Sequence, residues 1–133
     1  MPEDLKVQFP YARKVCDVLG VKVLELEGFE ADDVIGTLAR QATELGMDTL
    51  VSTGDKDLAQ LIRGDDTWWD YARSNRLNSR GIEKRFGVRP EQIADQLAIA
   101  GDKTDNIPGI PGIGMATAAR LLRRFGDLDS LLE

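Results

Sequence analysis

The sequence predicts an α/β fold in which a parallel sheet with flanking helices is followed by an all-helical region. Short β-branched segments alternate with segments of helical period up to about residue 78. Beyond that point only helical patterns and a glycine-rich loop occur. Strand–helix–strand spacing is typical of parallel sheets with right-handed crossovers. We therefore predict an α/β core over residues 1–78 and a helical region over residues 79–133.

Three segments have the residue pattern of strands. "VKVLEL" alternates and is β-branched, as half-buried strands are. "DTLVST" and "TWWDYA" carry the β-branched and aromatic residues that strands favour. The predicted strands cover residues 21–26, 48–53 and 67–72.

Apolar residues at helical spacing predict the helices. The first two apolar faces end at Gly20 and Gly46, since glycine commonly terminates helices. In the C-terminal region, Pro90 lies in the first turn of a helix, where proline is tolerated. The predicted helices are 4–19, 31–45, a short one at 58–62, "SRGIEKRFG", "PEQIADQLAIAG", 115–126 and one that starts in "DLDSLLE".

Composition excludes several classes of protein. The chain has 133 residues, of which 42% are apolar and 30% charged, as in ordinary globular proteins. No apolar run approaches the roughly 18 to 20 residues that span a bilayer, and a signal-peptide pattern is absent, so we expect no membrane partner. Cys16 is the single cysteine, which fits a reducing cytoplasm.

The charged residues narrow the choice of metal and partner. The chain contains no histidine, so a metal site must use oxygen ligands, which favour Mg²⁺, Mn²⁺ or Ca²⁺ over zinc. The net charge of −6 argues against nucleic acid, but the acids are concentrated in three stretches that bound metal would largely neutralise. Arginines gather at 73, 76, 80, 85 and 89, and again at 120, 123 and 124.

The three acidic stretches are the candidate metal ligands. Each has a simpler explanation when it is considered alone. The first lies at a predicted helix start, where acids cap free N–H groups and complement the helix dipole. The second follows a predicted strand and could form a capped turn, and the third is a run of turn-forming residues. The candidates are Glu30, Asp32 and Asp33; Asp55 and Asp57; and Asp102 and Asp105.

The three stretches together favour a metal centre. Ligands of open parallel sheets bind beyond the carboxyl ends of strands, where the first two stretches would lie. Two carboxylates about 5 Å apart repel by about 3 kcal/mol at an effective dielectric of about 20, so cations must hold several together. Two Mg²⁺ or Mn²⁺ ions can bind the attacking and leaving oxygens of a phosphodiester without a histidine base. The candidate catalytic residues are Asp32, Asp33, Asp55 and Asp57.

The stretch "GIPGIGMATAARLL" predicts a helix–hairpin–helix DNA-binding unit. Pro111 presets a turn, and glycine permits close backbone approach. Backbone N–H groups at residues 112–114, just before a helix, can bind a phosphate without reading base sequence. The nearby arginines could add phosphate contacts, although a solvated basic face is the simpler explanation for them. The candidate DNA-binding residues are Gly109, Gly112, Ile113, Gly114, Lys103 and Arg120.

Three stretches closely resemble the 5′-nuclease family, which includes the 5′→3′ exonuclease domain of bacterial DNA polymerase I, phage 5′ exonucleases and flap endonucleases. They are "EGFEADDVIGTLA", "VSTGDKDLAQLI" and "AGDKTDNIPGIPGIGMATAARLL". The resemblance implies a PIN-like core, an H3TH region and a metal-dependent hydrolase of DNA replication and repair, acting on 5′ ends, flaps or nicks. It implies that all seven acids belong to one centre. It also implies that the hairpin 109–114 contacts duplex backbone, through a bound K⁺ in family members.

The N-terminus departs from the family pattern. Family members begin with a strand that bears a metal-binding aspartate, followed by a second aspartate and a basic arch, whereas "MPEDLKVQFP" resembles the segment after that arch. We expect this chain to match the C-terminal half to two thirds of a family domain. An exposed sheet edge would then pair with a separate N-terminal half or with a second copy.

The sequence leaves open whether this chain cuts DNA by itself. The principal rival interpretation is a non-catalytic duplex-DNA-binding module that retains part of the acidic site. A single-strand ribonuclease fold is less favoured, because such domains usually lack the glycine hairpin.

Overall fold

The structure, a computed structural model, describes residues 2–133 and divides into two units, Met1–Ile35 and Gly36–Glu133. The helix Ala31–Glu44, α3, begins in the first unit and ends in the second. Within residues 2–133 no helix has the length and apolar content needed to cross a membrane.

Two helices lie in the segment 4–19, where the sequence predicted one. They are α1, Glu3–Lys6, and α2, Phe9–Val18. Pro10 explains the interruption, because in a continuous helix it could not donate to the Lys6 carbonyl, whereas the first turn of α2 tolerates it. Gly20, at φ +69°, ends α2 as predicted, with the Val21 N–H donating to the Cys16 carbonyl at 2.8 Å.

The strand predicted at residues 21–26 is wrong. The segment belongs to no sheet of the described residues, and its apolar side chains are exposed, with Val21 at 54% and Leu26 at 58%. The physical reason is that a strand needs a neighbouring strand to complete its backbone hydrogen bonds. Alternating apolar and polar residues give the side-chain pattern of a strand but do not provide that neighbour.

The second unit contains a three-stranded sheet in the order β1-β2-β3. The predicted strands at 48–53 and 67–72 are confirmed as β1, Leu50–Ser52, and β2, Thr67–Asp70, which pair in parallel. A third strand, β3, Asn75–Leu77, returns antiparallel to β2 and makes the sheet mixed. Its three residues are too short and polar a segment to show a strand pattern.

The helical region forms as predicted and buries its apolar faces. Asn78 caps the first helix by accepting the Gly81 N–H at 2.9 Å, and Gly87 follows its last turn at φ +78°. Leu97 and Leu122, on different helices, are 6% and 1% exposed. The helices are α4, Ser79–Phe86; α5, Ile93–Ala100, after a 3₁₀ turn at Pro90–Gln92; α6, Met115–Phe125; and α7, Leu128–Leu132. The region boundary at residue 78 stays a prediction.

Candidate metal centre and nucleic-acid interface

The loop after β1 carries Asp55 and Asp57, and three hydrogen bonds fix its conformation. The Asp55 N–H donates to Thr53 Oγ1 at 3.0 Å, and the Asp57 N–H donates to Asp55 Oδ1 at 2.9 Å. Buried Trp68 on β2 donates from Nε1 to the Asp55 carbonyl at 2.9 Å. The loop therefore turns tightly from the sheet into the 3₁₀ helix Asp57–Leu61, which confirms the short helix predicted there.

A second loop follows α5 and closes on itself. Asp102 and Ile107 exchange both backbone hydrogen bonds, at 2.9 and 2.8 Å. The buried Asp102 carboxylate also accepts the Thr104 N–H at 2.8 Å. Gly101 and Gly109 cross so closely that a Cβ on Gly109 would lie 2.3 Å from the Gly101 nitrogen. Only glycine fits this crossing, which holds the two ends of the loop together.

These two loops bring three carboxylates into one group, which we call the acid cluster: Asp57, Asp102 and Asp105. One oxygen from each lies within 4.8 Å of the others. Asp102 is buried, Asp57 is half-buried and Asp105 is exposed. Because Asp57 and Asp102 are 45 positions apart in the chain, only the tertiary fold creates this cluster.

Lys56 inserts its ammonium group into the acid cluster. It donates a hydrogen bond to Asp102 Oδ2, and its Nζ lies 3.4 Å from Asp57 Oδ1. The bond to Lys56 lowers the pKa of Asp102 and raises the pKa of Lys56. Burial instead raises the pKa of Asp57, because a carboxylate loses hydration there. One ammonium group thus partly offsets three carboxylates, and an excess of negative charge remains.

The acid cluster has the donor set that a hard divalent cation prefers. Asp57 Oδ1 is buried and has no hydrogen-bond donor among residues 2–133, although Lys56 lies at ion-pair distance. Mg²⁺ and Mn²⁺ prefer carboxylate oxygens and keep several waters. The residues present therefore fit a divalent ion, with Asp57, Asp102 and Asp105 as the residues that could hold it.

A cleft of about 460 Å³ opens beside the acid cluster. Asp55 borders it but does not belong to the acid cluster. Two arginines, Arg73 and Arg85, add positive charge to the lining of the same cleft. Its lining includes Gly54, Asp55, Lys56, Asp57, Trp68, Asp70, Arg73, Arg85, Phe86, Thr104 and Asp105.

The acids at the start of α3 lie in the first unit and are exposed. The Glu30 N–H donates to Asp33 Oδ2 at 3.0 Å, which is the capping role that helix starts favour for acids. Asp32 occupies the first turn with Asp33, where it complements the helix dipole. Their convergence with the acid cluster stays a prediction.

The hairpin at residues 109–114 is ordered by its own backbone. The Ile113 N–H donates to the Ile110 carbonyl at 3.0 Å, so it closes a turn and is not free to meet a phosphate. The turn thus uses one of the three N–H groups that the sequence analysis considered as phosphate donors. Gly112 and Gly114 have no backbone hydrogen bond from their N–H groups among residues 2–133. The DNA-binding role of Gly112, Ile113 and Gly114 stays a prediction, in which the N–H groups of Gly112 and Gly114 are the open donors ahead of α6.

Gly109 has a different role from the other two glycines. It is half-buried and packs against Gly101, so its missing side chain serves the fold of this chain. The basic candidates Lys103 and Arg120 are exposed. Arg120 Nη2 lies 3.5 Å from Thr117 Oγ1 on the same helix, which leaves most of its guanidinium open to solvent.

Three site residues received no role from the sequence. Lys56 stands between two acids in "GDKD", and that position is the one signal that could have pointed to it. Trp68 and Asp70 alternate on β2 with Trp69, and both are buried, at 2% and 3% exposed. A carboxylate buried on the inward face of a strand requires a partner, which the structure shows to be Arg73.

Comparison with known proteins identifies the family. The family described as "5′-3′ exonuclease, N-terminal resolvase-like domain" matches residues 1–87, and "5′-3′ exonuclease, C-terminal SAM fold" matches residues 88–133. The chain belongs to the 5′-3′ exonuclease family. This confirms the resemblance inferred from the three sequence motifs.

Among relatives of this 5′-3′ exonuclease family member, DNA polymerase I of Pseudomonas aeruginosa is 48% identical over 126 residues. That match covers 95% of this chain and 14% of the polymerase. The 5′-3′ exonuclease of Aquifex aeolicus is 38% identical over 132 residues, covering 99% of this chain and 46% of that protein. The chain thus spans less than half the length of either relative.

Solved structures confirm the fold class. The T5 D15 protein crystallised with metal ions matches with a TM-score of 0.84 at 23% identity, over 99% of this chain and 52% of that one. The bacteriophage T5 D15 flap endonuclease in a pseudo-enzyme–product complex with DNA and metal ions matches at 0.83 and 23%, over 99% and 51%. At this identity the likeness establishes the shared fold of the 5′-3′ exonuclease family.

Proposed function

We propose that this chain acts in metal-dependent hydrolysis of DNA phosphodiesters, as a 5′→3′ exonuclease or 5′-flap endonuclease of replication and repair. The acid cluster carries the proposal, because three carboxylates from two separate loops converge beside an open cleft. Membership of the 5′-3′ exonuclease family supports the same reaction. We place the activity in the cytoplasm, where DNA is the substrate and the lone Cys16 stays reduced.

The residues divide into ligands and positioning groups. Asp57, Asp102 and Asp105 would hold a divalent ion, Mg²⁺ or Mn²⁺, and the remaining acids would serve a second ion in a two-metal centre. These remaining acids are Asp55, Glu30, Asp32 and Asp33. When bound, such ions lower the pKa of water and neutralise charge on the phosphodiester. Trp68 fixes the loop that carries Asp55 and Asp57 through its indole hydrogen bond.

DNA would be held by its backbone at the hairpin. The free N–H groups of Gly112 and Gly114 precede α6, whose N-terminus favours a phosphate. Lys103 and Arg120 would add charge, and a K⁺ at residues 109–114 remains part of the proposal. Such contacts bind 5′ ends, flaps or nicks through structure and without reading bases.

Asp105→Asn tests the metal centre, since Asp105 is exposed and its loss leaves the buried contacts of Asp102 intact. We expect weaker Mn²⁺ binding by calorimetry and loss of EDTA-sensitive cleavage of a 5′-flap DNA. Asp129→Asn, an exposed acid on α7, is the matched control and should bind Mn²⁺ as the parent does. Equal Mn²⁺ affinity in Asp105→Asn and the parent would refute the assignment of the acid cluster.

A second function, duplex binding without cleavage, is favoured by one observation. The hairpin's two free N–H groups are formed by residues outside the acid cluster, so they need no divalent ion there. Binding of flap DNA in EDTA, with no cleavage when Mn²⁺ is added, would support this alternative. Asp55→Ala should abolish cleavage and spare duplex binding under the first proposal.

A partner that completes the sheet is also part of the proposal. Among residues 2–133, β1 pairs with β2 alone and so leaves one edge open. An open edge can pair with a further strand, either from another polypeptide or from a second copy of this chain. Sedimentation of the chain alone distinguishes these, because self-association gives a dimer and the other partner leaves a monomer.

A further inference from the structure

The cleft beside the acid cluster has a cationic wall that the proposed metal centre does not use. Arg73 and Arg85 line it together with Asp55, Asp57 and Asp105. Arg85 forms no ion pair with a carboxylate of residues 2–133, and Arg73 pairs with Asp70 and not with the acid cluster. Two guanidinium groups thus line the cleft without pairing with the acid cluster, although Arg73 pairs with Asp70, which also lines it.

Asp70 holds Arg73 in place. The Asp70 carboxylate is buried, and it accepts Arg73 Nη1 at 2.7 Å and the Arg73 backbone N–H at 3.1 Å. The Arg73 side chain nevertheless remains 71% exposed. A guanidinium has five N–H donors in a rigid fork, so most of them stay available after this pairing. Arg73 is therefore an oriented donor that keeps its capacity to bind an anion.

The position of Arg73 relates it directly to the candidate metal ligands. Its Nη1 lies 3.9 Å from the place that a Cβ would take on Gly54. Gly54 immediately precedes Asp55 in the loop that leads to Asp57. A phosphate that touches Arg73 would thus lie beside this loop, on the same side of the cleft as the residues of the proposed reaction.

Arg85 supplies the second donor from α4. Its guanidinium carbon lies 5.8 Å from the centre of the Phe86 ring, and Phe86 lines the same cleft. Guanidinium forks match phosphate oxygens in a bidentate manner, which explains why two of them in one cleft suit a phosphate. The donors that remain open on Arg73 and Arg85 therefore make this cleft suitable for an anion.

We propose that Arg73 and Arg85 form a phosphate subsite, which binds a backbone or terminal phosphate of the DNA next to the phosphodiester that is cut. This inference rests on the proposed function for the identity of the ligand as DNA. It assigns Asp70 as a positioning residue, because Asp70 acts through Arg73 and not on the substrate.

The test measures binding without cleavage. The probe is a short single-stranded DNA with a 5′ phosphate, titrated by fluorescence anisotropy in EDTA over a range of salt. Arg73→Met and Arg85→Met should each weaken binding about tenfold, because each removes hydrogen bonds to a charged group. Each should also reduce the magnitude of the salt slope by about one. Arg76→Met, an exposed arginine on β3 outside the cleft, is the matched control and should change neither quantity.

Two further variants separate geometry from charge. Arg73→Lys keeps the charge but loses the fork, so it should keep the salt slope and still weaken binding. Asp70→Asn raises the net charge by one, and this change of charge alone would tighten DNA binding. We expect weaker DNA binding instead, because Arg73 loses the carboxylate that positions it. Circular dichroism confirms that each variant is folded. If Arg73→Met and Arg85→Met bind the probe as Arg76→Met does, the subsite is refuted.

A probe with a 5′ hydroxyl distinguishes the two sources of phosphate. Weaker binding of this probe assigns a terminal phosphate, and equal binding assigns a backbone phosphate. Mn²⁺ calorimetry separates this inference from the proposed function. Arg73→Met should bind Mn²⁺ as the parent does, while Asp105→Asn should lose Mn²⁺ and bind DNA in EDTA at least as tightly as the parent.

Discussion

The three glycines of the hairpin should respond very differently to the same substitution, alanine. A Cβ on Gly109 would lie 2.3 Å from the Gly101 nitrogen and 2.5 Å from the Ala100 carbonyl carbon, and Gly109 has φ +63°. Gly112 also has a positive φ, +80°, but its Cβ would meet nothing within 4 Å. Gly114 has φ −99° and equally open surroundings.

The expected magnitudes follow from these two properties. Left-handed backbone costs an alanine roughly 1 to 2 kcal/mol, so Gly112→Ala should lose about 1 kcal/mol of unfolding free energy. Gly109→Ala carries the same cost and also displaces backbone atoms, for which overpacking adds roughly 1 to 3 kcal/mol, giving about 3 kcal/mol. Gly114→Ala has two opposed effects: alanine reduces the conformational entropy of the unfolded chain, but it is a poorer N-cap residue than glycine. The unfolding free energy of this variant should therefore stay within about 0.5 kcal/mol of that of the parent.

Urea denaturation followed by circular dichroism measures the series, with unchanged m-values showing that the unfolded state is comparable. Gly114→Ala serves as the matched control for Gly109→Ala, since both lie in the same hairpin. Equal midpoints for these two variants would mean that the Gly101–Gly109 crossing does not constrain the loop as described.

Other predictions concern charge and capping. Lys56→Met should lower the melting temperature in EDTA, because the acid cluster loses its ammonium group, and should enlarge the rise caused by Mn²⁺, since the metal no longer competes with a cation. The bond to Arg73 lowers the pKa of Asp70 below its usual 3.8, so this pair stabilises the fold above that pH and loses its effect as the pH falls through the lowered pKa. As the pH falls from about 5 to about 2, the unfolding free energy of Arg73→Met should therefore decrease less than that of the parent. The same pH dependence in both proteins would contradict this pairing. Asn78→Ala should cost about 1 kcal/mol in urea denaturation, because the Gly81 N–H loses its cap, and Asn78→Ser should recover most of it.

Much of the fold followed from local patterns. Gly20 and Gly46 mark helix ends, and the β-branched residues near Val51 and Trp68 mark strands, because each signal arises within a few residues. The segment 21–26 is a case that such local signals predict wrongly. Its alternation is that of a strand, yet strand formation depends on a second backbone that local sequence does not specify.

The candidate site divides in the same way. The sequence selected Asp57, Asp102 and Asp105 as ligands, and the structure brings them together. It could not show that Lys56 lies among them, because that contact depends on how two distant loops pack. Nor could it show that the Ile113 N–H is used within the turn, since hydrogen-bond partners follow from backbone conformation.

The closed loop between α5 and the hairpin has a consequence for where a strand would be cut. Asp102 and Ile107 exchange backbone hydrogen bonds, and the Ile110 N–H donates to the Ile99 carbonyl at 2.8 Å. Under the proposed function, the hairpin that would hold the duplex backbone and two of the proposed metal ligands, Asp102 and Asp105, would therefore belong to one hydrogen-bonded segment. Such a segment would keep the distance between the hairpin and the two carboxylates constant. DNA would then be cut at a constant number of nucleotides from the phosphate bound at the hairpin, whatever the base sequence between them.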